Sequence, residues 1–143
     1  MIAVDTNILI HAHRRDASLH ERARDLLGEL SNQGATWAIP WPCLHEFYGV
    51  VTHPRVFAPP STRAEAWAQI HAWTGAGNVS LLSEARNHLD HLEALTTSAR
   101  ITGPQVHDAR IAAICLSHGV SELITLDRDF SRFPQLRTRG LRI

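Results

Sequence analysis

The chain has 143 residues, of which 44% are hydrophobic, and its formal net charge is zero. This length suits one domain over residues 1–143, no apolar run is long enough to span a membrane, and the balanced charge excludes a strongly basic global field. No signal-peptide pattern follows Met1, so we expect a cytoplasmic protein with no membrane partner.

Residue types that often bind zinc are present without the spacing of a zinc site. Cys43 and Cys115 both lie in apolar helical stretches, where we expect buried reduced thiols rather than a disulfide or a metal pair. The ten histidines are scattered, and no recognisable third ligand accompanies the close pairs. All fourteen cationic side chains are arginines, which suits phosphate binding, although genomic base composition can produce the same bias.

The first predicted element is the apolar run Ile2-Ala3-Val4, which is typical of a strand buried on both faces of a parallel sheet. It ends at Asp5, and Thr6 and Asn7 are residue types that favour a helix start. We therefore predict that Asp5 lies at the carboxyl edge of the sheet, where open α/β sheets bind ligands. A lone Asp here could equally serve only as a helix cap.

Helical and strand patterns alternate along the rest of the chain. Apolar spacing predicts helices over about 8–14, 16–30, 42–51, 62–74, 84–98 and 104–118, with Leu89 among the inward-facing residues of the fifth. Further strands are predicted at 37–39, 79–82, 122–126 and 141–143, and a single turn at 129–130. This alternation indicates an α/β fold in which helices cover both faces of a mostly parallel sheet.

Four acidic residues, far apart in sequence, are predicted to converge at one edge of this sheet. Asp5 and Asp127 each follow an apolar strand, and parallel strands end at the same edge. Asp108 lies in the first turn of the helix that precedes the strand before Asp127, so it begins near that edge. Glu46 lies on an otherwise apolar helix, where an unpaired acid is costly to bury.

Each acid also has an ordinary structural explanation. A helix dipole favours Asp108 near a helix N-terminus, Asp127 and Asp129 could be turn residues, and Glu46 could face solvent. These explanations do not account for several acids arriving together. Clustered carboxylates repel one another, a divalent cation offsets that repulsion, and oxygen ligands without Cys or His favour Mg²⁺ or Mn²⁺. Such a site suits phosphodiester hydrolysis.

Tryptophans form a second pattern, which has two interpretations. Trp41, Trp67 and Trp73 could provide a surface on which nucleic-acid bases stack. Core packing and protein interfaces are the commoner uses of such residues.

Four short motifs in order resemble the PIN-domain ribonucleases, and in particular the VapC-type toxins of bacterial toxin–antitoxin pairs. They are Val4-Asp5-Thr6-Asn7, Leu44-His45-Glu46-Phe47, the segment 107–113 (His-Asp-Ala-Arg-Ile-Ala-Ala) and the segment 125–130 (Thr-Leu-Asp-Arg-Asp-Phe). The resemblance covers nearly the whole chain. It implies a PIN-like fold with a five-stranded, mostly parallel sheet flanked by helices.

The resemblance also implies an activity and a division of roles. The activity is Mg²⁺- or Mn²⁺-dependent endonucleolytic cleavage of RNA, such as tRNA or ribosomal RNA, by a homodimer that a cognate VapB-type antitoxin inhibits. Asp5 and Asp108 would bind the metal directly, and Glu46 and Asp127 would complete the catalytic acids. Three residues would support them: Asn7, Thr125 and Asp129. Arginines proposed to grip RNA are Arg14, Arg15, Arg128, Arg132, Arg137 and Arg139.

Two other functions are consistent with parts of the sequence. A PIN-like module could bind RNA or a partner protein without cleaving, although the intact acid set argues against it. A phosphatase of the haloacid dehalogenase type also begins with an Asp at a strand end, but it needs a second Asp where this chain has Asn7.

Overall fold

A computed structural model describes residues 1–141 as a parallel five-stranded sheet with six α-helices. The strands are β1 (Ile2–Val4), β2 (Trp37–Pro40), β3 (Val79–Leu82), β4 (Glu122–Ile124) and β5 (Thr138–Arg139). The helices are α1 (Thr6–His13), α2 (His20–Asn32), α3 (Trp41–Val51), α4 (Arg63–Thr74), α5 (His88–Ser98) and α6 (Val106–Ser117). Two 3-10 turns, Gly103–Gln105 and Arg128–Arg132, precede α6 and follow β4.

The sheet has the order β3-β2-β1-β4-β5, and every neighbouring pair is parallel. The chain moves from β1 outward to β3, then crosses back past β1 to β4. Connections between parallel strands are right-handed. Connections that run in opposite directions across the sheet therefore place their helices on opposite faces. Helices α1–α4 therefore cover one face and α5–α6 the other, which confirms the predicted α/β architecture.

The centre of the sheet is fully apolar. Ala3 and Val4 of β1 have no exposed surface, and the same is true of Leu123 and Ile124 in the neighbouring β4. The predicted inaccessibility of the thiols is confirmed, since Cys43 and Cys115 are free and buried. No helix within residues 1–141 is long and apolar enough to cross a membrane.

Several element ends differ from the sequence predictions. Helix α2 begins at His20 rather than near residue 16, and α5 begins at His88 rather than near residue 84. Strand β4 ends at Ile124, two residues before the predicted end, and Leu89 is 77% exposed rather than inward-facing. The last edge strand is at 138–139; of the predicted 141–143, Leu141 is outside a strand, and residues 142–143 lie outside the described part.

Candidate active site

The first acid, Asp5, lies where β1 ends and α1 begins, at the position where strand order reverses between β1 and β4. Its backbone N–H still pairs with the Ile124 carbonyl oxygen at 3.0 Å, so it is held by the sheet. Its Oδ1 accepts a hydrogen bond from the Thr6 N–H at 2.8 Å, which makes Asp5 the N-cap of α1. The capping explanation is therefore correct, and it does not exclude a second role.

The Asp5 carboxylate is also fixed by side chains from two other elements. The Thr125 hydroxyl donates to Oδ2 at 2.7 Å, and the Cys43 thiol donates to Oδ1 at 3.5 Å. Only 5% of Asp5 is exposed. Strand β4, helix α3 and the start of α1 together fix the orientation of this carboxylate.

Three more acids form a compact group beside Asp5. Asp108 comes from the first turn of α6, while Asp127 and Asp129 come from the turn after β4. One carboxylate oxygen from each lies within 4.8 Å of the others. Within residues 1–141, no equally tight group of three includes Asp5 or Glu46. The sequence motifs identified Asp129 only as a supporting neighbour, whereas the structure places its carboxylate in this group.

The fourth predicted acid, Glu46, lies at the exposed rim of the same edge. The Thr6 hydroxyl donates to Glu46 Oε2 at 3.4 Å, which links α3 to the start of α1. The charges of Asp5 and Asp127 act on Glu46, so the structure brings Glu46 to the same region as the other acids.

The supporting residues act in different ways. Thr125 contacts a carboxylate directly, and its hydroxyl also accepts the Asp127 N–H at 3.0 Å. Asn7 was expected to orient a carboxylate, but its Oδ1 accepts the Leu126 N–H at 3.1 Å and so holds the backbone beside Asp127.

Two contacts were not expected from the sequence. Thr6 was identified only as a helix-start residue, and Cys43 only as a buried thiol. Thr6 adjoins Asp5 in a recognisable motif, which is a signal for its role. No local signal in the sequence distinguishes Cys43 from any other buried cysteine.

Burial and the neighbouring acids both act on Asp108. Burial is the largest cause, and together with the charges of Asp127, Asp5, Asp129 and Glu46 it raises the pKa of Asp108 from 3.8 to about 6. Burial also raises the pKa of Asp5, although the hydrogen bonds from Thr125 and Thr6 oppose that effect. Partial burial, followed by the charge of Asp5, raises the pKa of Glu46.

This donor set fits a hard divalent cation. The clustered ligand atoms are all carboxylate oxygens, and the Cys43 thiol beside Asp5 keeps its proton because burial raises its pKa. Oxygen ligands without thiolate or imidazole favour Mg²⁺ or Mn²⁺ over zinc. A cation would also offset the repulsion that raises the pKa of Asp108.

The arginines suggested by the sequence are divided among three regions. Arg128, between Asp127 and Asp129, is exposed at the acidic edge, and Arg132 follows in the same turn. Arg137 and Arg139 both pair with Glu122, which begins β4 at the opposite edge of the sheet.

The remaining two arginines, Arg14 and Arg15, lie at the far end of α1. They line a cavity of about 930 Å³ between α1, α2 and α4. No acid of the candidate active site lines this cavity, so its size gives no information about the acidic site.

The fold and the acidic edge define a PIN domain. The PIN domain family model matches residues 2–136, and the chain belongs to this family. The predicted family and fold are therefore confirmed.

Among its curated relatives are bacterial proteins of similar length. VapC ribonuclease Mb2897 of Mycobacterium bovis is 34% identical over 139 residues, which cover 97% of this chain and 94% of the relative. Ribonuclease VapC31 of Mycobacterium tuberculosis is 33% identical over 137 residues, with 96% of each chain covered.

Solved structures share the fold at lower sequence identity. VapBC2 from Rickettsia felis, bound to a DNA fragment from its promoter, has a TM-score of 0.72 at 20% identity, with 99% of this chain and 100% of that chain covered. The Mycobacterium tuberculosis toxin VapC20, which cleaves the Sarcin-Ricin loop, has a TM-score of 0.68 at 14% identity, with coverage of 92% and 93%.

Proposed function

We propose that this chain, a single PIN domain over residues 1–143, is the toxin of a type II toxin–antitoxin pair and hydrolyses RNA phosphodiester bonds with Mg²⁺ or Mn²⁺. The observation that carries this proposal is the group of carboxylates at the edge where β1 and β4 end. The ribonuclease names of relatives at 33–34% identity support it.

Within this proposal, Asp5 and Asp108 bind the cation, together with the neighbouring Asp127 and Asp129. A bound cation would supply charge stabilisation at the phosphate and lower the pKa of a water ligand. The chain itself contributes rigidity. Because Asp5 is held by Thr125, Thr6 and Cys43, its carboxylate needs little reorganisation when a ligand arrives.

Two exposed side chains at this edge have separate roles in this proposal. Glu46 at the rim accepts a hydrogen bond from Thr6, and its raised pKa makes it a better base than an ordinary glutamate. We assign it to orient the attacking water. Arg128 forms no ion pair within the described residues, so its guanidinium is available to bind a phosphate of the strand.

The partners proposed here are of three kinds. The substrate is RNA, with tRNA and ribosomal RNA as the first candidates, and this substrate places the protein in the cytoplasm. A VapB-type antitoxin would cover the acidic edge, in keeping with the VapBC complexes that share the fold. A homodimer is the assembly expected for the active toxin.

The deciding experiment measures cleavage of purified tRNA and ribosomal RNA by the isolated protein with Mn²⁺ or Mg²⁺. Asp5→Asn and Asp108→Asn should each abolish cleavage and weaken Mn²⁺ binding, while circular dichroism shows a retained fold. Asp25→Asn is the matched control, because Asp25 is an exposed acid on α2 that pairs with the exposed Arg24. Its activity should be unchanged.

Three results would contradict the proposal. The first is unchanged cleavage in both active-site variants. The second is tight RNA binding without cleavage in Mn²⁺, which indicates a binding module. The third is turnover of a small phosphomonoester in place of RNA, which indicates a phosphatase.

A further inference from the structure

Five rings lie along α3 and α4 in two contacting groups, here together called the ring band: Trp41 with His45, and Tyr48 with Trp67 and His71. The ring centroids of Trp41 and His45 are 6.1 Å apart, with 31° between the planes. Tyr48, one turn further along α3, approaches Trp67 of α4 at 5.7 Å. Trp67 in turn approaches His71 at 6.0 Å, with an angle of 36°. None of the five residues is acidic.

The two tryptophans of the ring band are not part of the core. Trp37 is fully buried and Trp73 is 7% exposed, so these two tryptophans fill the interior. Trp41 and Trp67 are 40% and 50% exposed. Half-exposed tryptophans that lie beside other rings offer flat apolar faces to a ligand.

The ring band begins beside the acidic edge. Strand register pairs Ala3 with Ala38, which places Asp5 level with Pro40 on the adjacent strand. Trp41 follows Pro40 directly, and adjacent strands lie about 4.8 Å apart. The other side of the same helix carries Glu46 towards the acids, so one helix joins the ring band to the site.

A cationic side chain also adjoins the ring band. Arg63 precedes Trp67 by one turn of α4 and is exposed, and it forms no ion pair within residues 1–141. His45 and His71 supply further hydrogen-bond donors within the band. Flat rings interleaved with cationic or neutral donors are typical of surfaces that bind single-stranded nucleic acid.

We propose that the ring band binds the single-stranded RNA that flanks the cleaved bond, with bases stacked on Trp41 and Trp67 and a phosphate beside Arg63. This inference rests on the proposed ribonuclease function, and it adds how the enzyme selects an unpaired substrate. A second copy of the chain fits this surface less well. A stable protein interface buries about 800 Å² per partner, whereas the band offers two half-exposed tryptophans separated by polar rings.

The test measures RNA binding separately from cleavage, using the full chain in EDTA. Fluorescence anisotropy follows a fluorescein-labelled, unstructured oligoadenylate as protein is added. Trp41→Ala and Trp67→Ala should each raise Kd roughly 10-fold, the loss expected for one stacked base, whereas Trp67→Phe should retain most of the affinity. Leu89→Ala is the matched control, because Leu89 is a 77% exposed apolar residue on α5, and it should leave Kd unchanged.

A second measurement distinguishes this inference from the function on which it rests. With Mn²⁺, both tryptophan-to-alanine variants should raise KM for the oligonucleotide and leave kcat unchanged. If the wild-type protein cleaves RNA and neither variant changes Kd, RNA binding by the ring band is refuted and the proposed ribonuclease function is retained. If the variants weaken binding but no form of the protein cleaves, the ribonuclease is refuted and the ring band stands as a binding surface. Conversion of a dimer to a monomer with unchanged RNA affinity would overturn the inference in favour of a protein interface.

Discussion

Replacing Asp108 with asparagine should stabilise the metal-free protein at neutral pH. The carboxyl forms no hydrogen bond or ion pair within residues 1–141, so an asparagine of nearly the same shape removes charge without breaking a contact. Burial and neighbouring acids raise the pKa of Asp108 from 3.8 to about 6. The folded state therefore favours the neutral carboxyl, and its ionised form destabilises the fold.

The magnitude follows from this difference in pKa. One pH unit corresponds to about 1.4 kcal/mol, so a rise from 3.8 to about 6 corresponds to about 3 kcal/mol for a fully buried group. Asp108 is only half-buried, and solvent screening reduces the effect to about 1–2 kcal/mol. For a chain of this size, that change raises Tm by roughly 3–8 °C.

The raised pKa determines at which pH the variant should be more stable than the wild type. Because the folded-state pKa is raised, the penalty is absent below the ordinary pKa near 3.8 and complete above about 6. Thermal unfolding in EDTA should show Asp108→Asn more stable than the wild type at neutral pH, and no more stable at about pH 4. Adding Mn²⁺ should stabilise the wild type more than the variant. Equal stability of the two proteins at neutral pH, or the same gain at both pH values, would refute the reasoning.

Three further measurements test other parts of the structure. Thr125→Val removes the donor to the buried Asp5 carboxylate; it should cost about 1–3 kcal/mol in urea unfolding and reduce cleavage, whereas Thr125→Ser should retain both. Isothermal titration should show Mn²⁺ affinity falling as pH drops below about 6, because Asp108 must release its proton to bind. Gly119 has a φ of +68°, so Gly119→Ala should destabilise the fold by about 1 kcal/mol in urea unfolding. Gly28 lies within α2 with open space around it, so Gly28→Ala should stabilise the fold by roughly 0.5–1 kcal/mol in the same urea assay.

The sequence predicted the architecture because short strand-like runs alternate with helical patterns, and because β1 and β4 each end at polar residues. It did not predict where some helices begin, since this depends on contacts between side chains. Asp16 is a residue type that favours helix caps, but its carboxylate pairs with Arg14 at 2.7 Å, and α2 starts four residues later. Glu84 similarly pairs with Arg110 of α6 rather than opening α5.

In the acidic site as well, the sequence predicted the features that depend on local patterns and missed those that depend on contacts between distant segments. Strand ends predicted that Asp5 and Asp127 would share one edge, and the structure places both there. The position of Asp129 depends on how the 3-10 turn after β4 folds, which Asp127 helps to fix by accepting the Asp129 N–H at 2.9 Å. The Cys43 contact depends on how α3 packs against α1, the helix that Asp5 caps, and no periodicity in the sequence encodes it.

The distance in sequence between Asp5 and Thr125, one of its hydrogen-bond partners, affects when the site can form during synthesis. Thr125 lies 120 residues after Asp5, and β1 is paired on only one side until β4 is added. A nascent chain therefore carries the first acid long before the residues that complete its surroundings have left the exit tunnel. On each nascent chain, the acidic edge therefore stays incomplete until β4 and the turn that follows it have emerged.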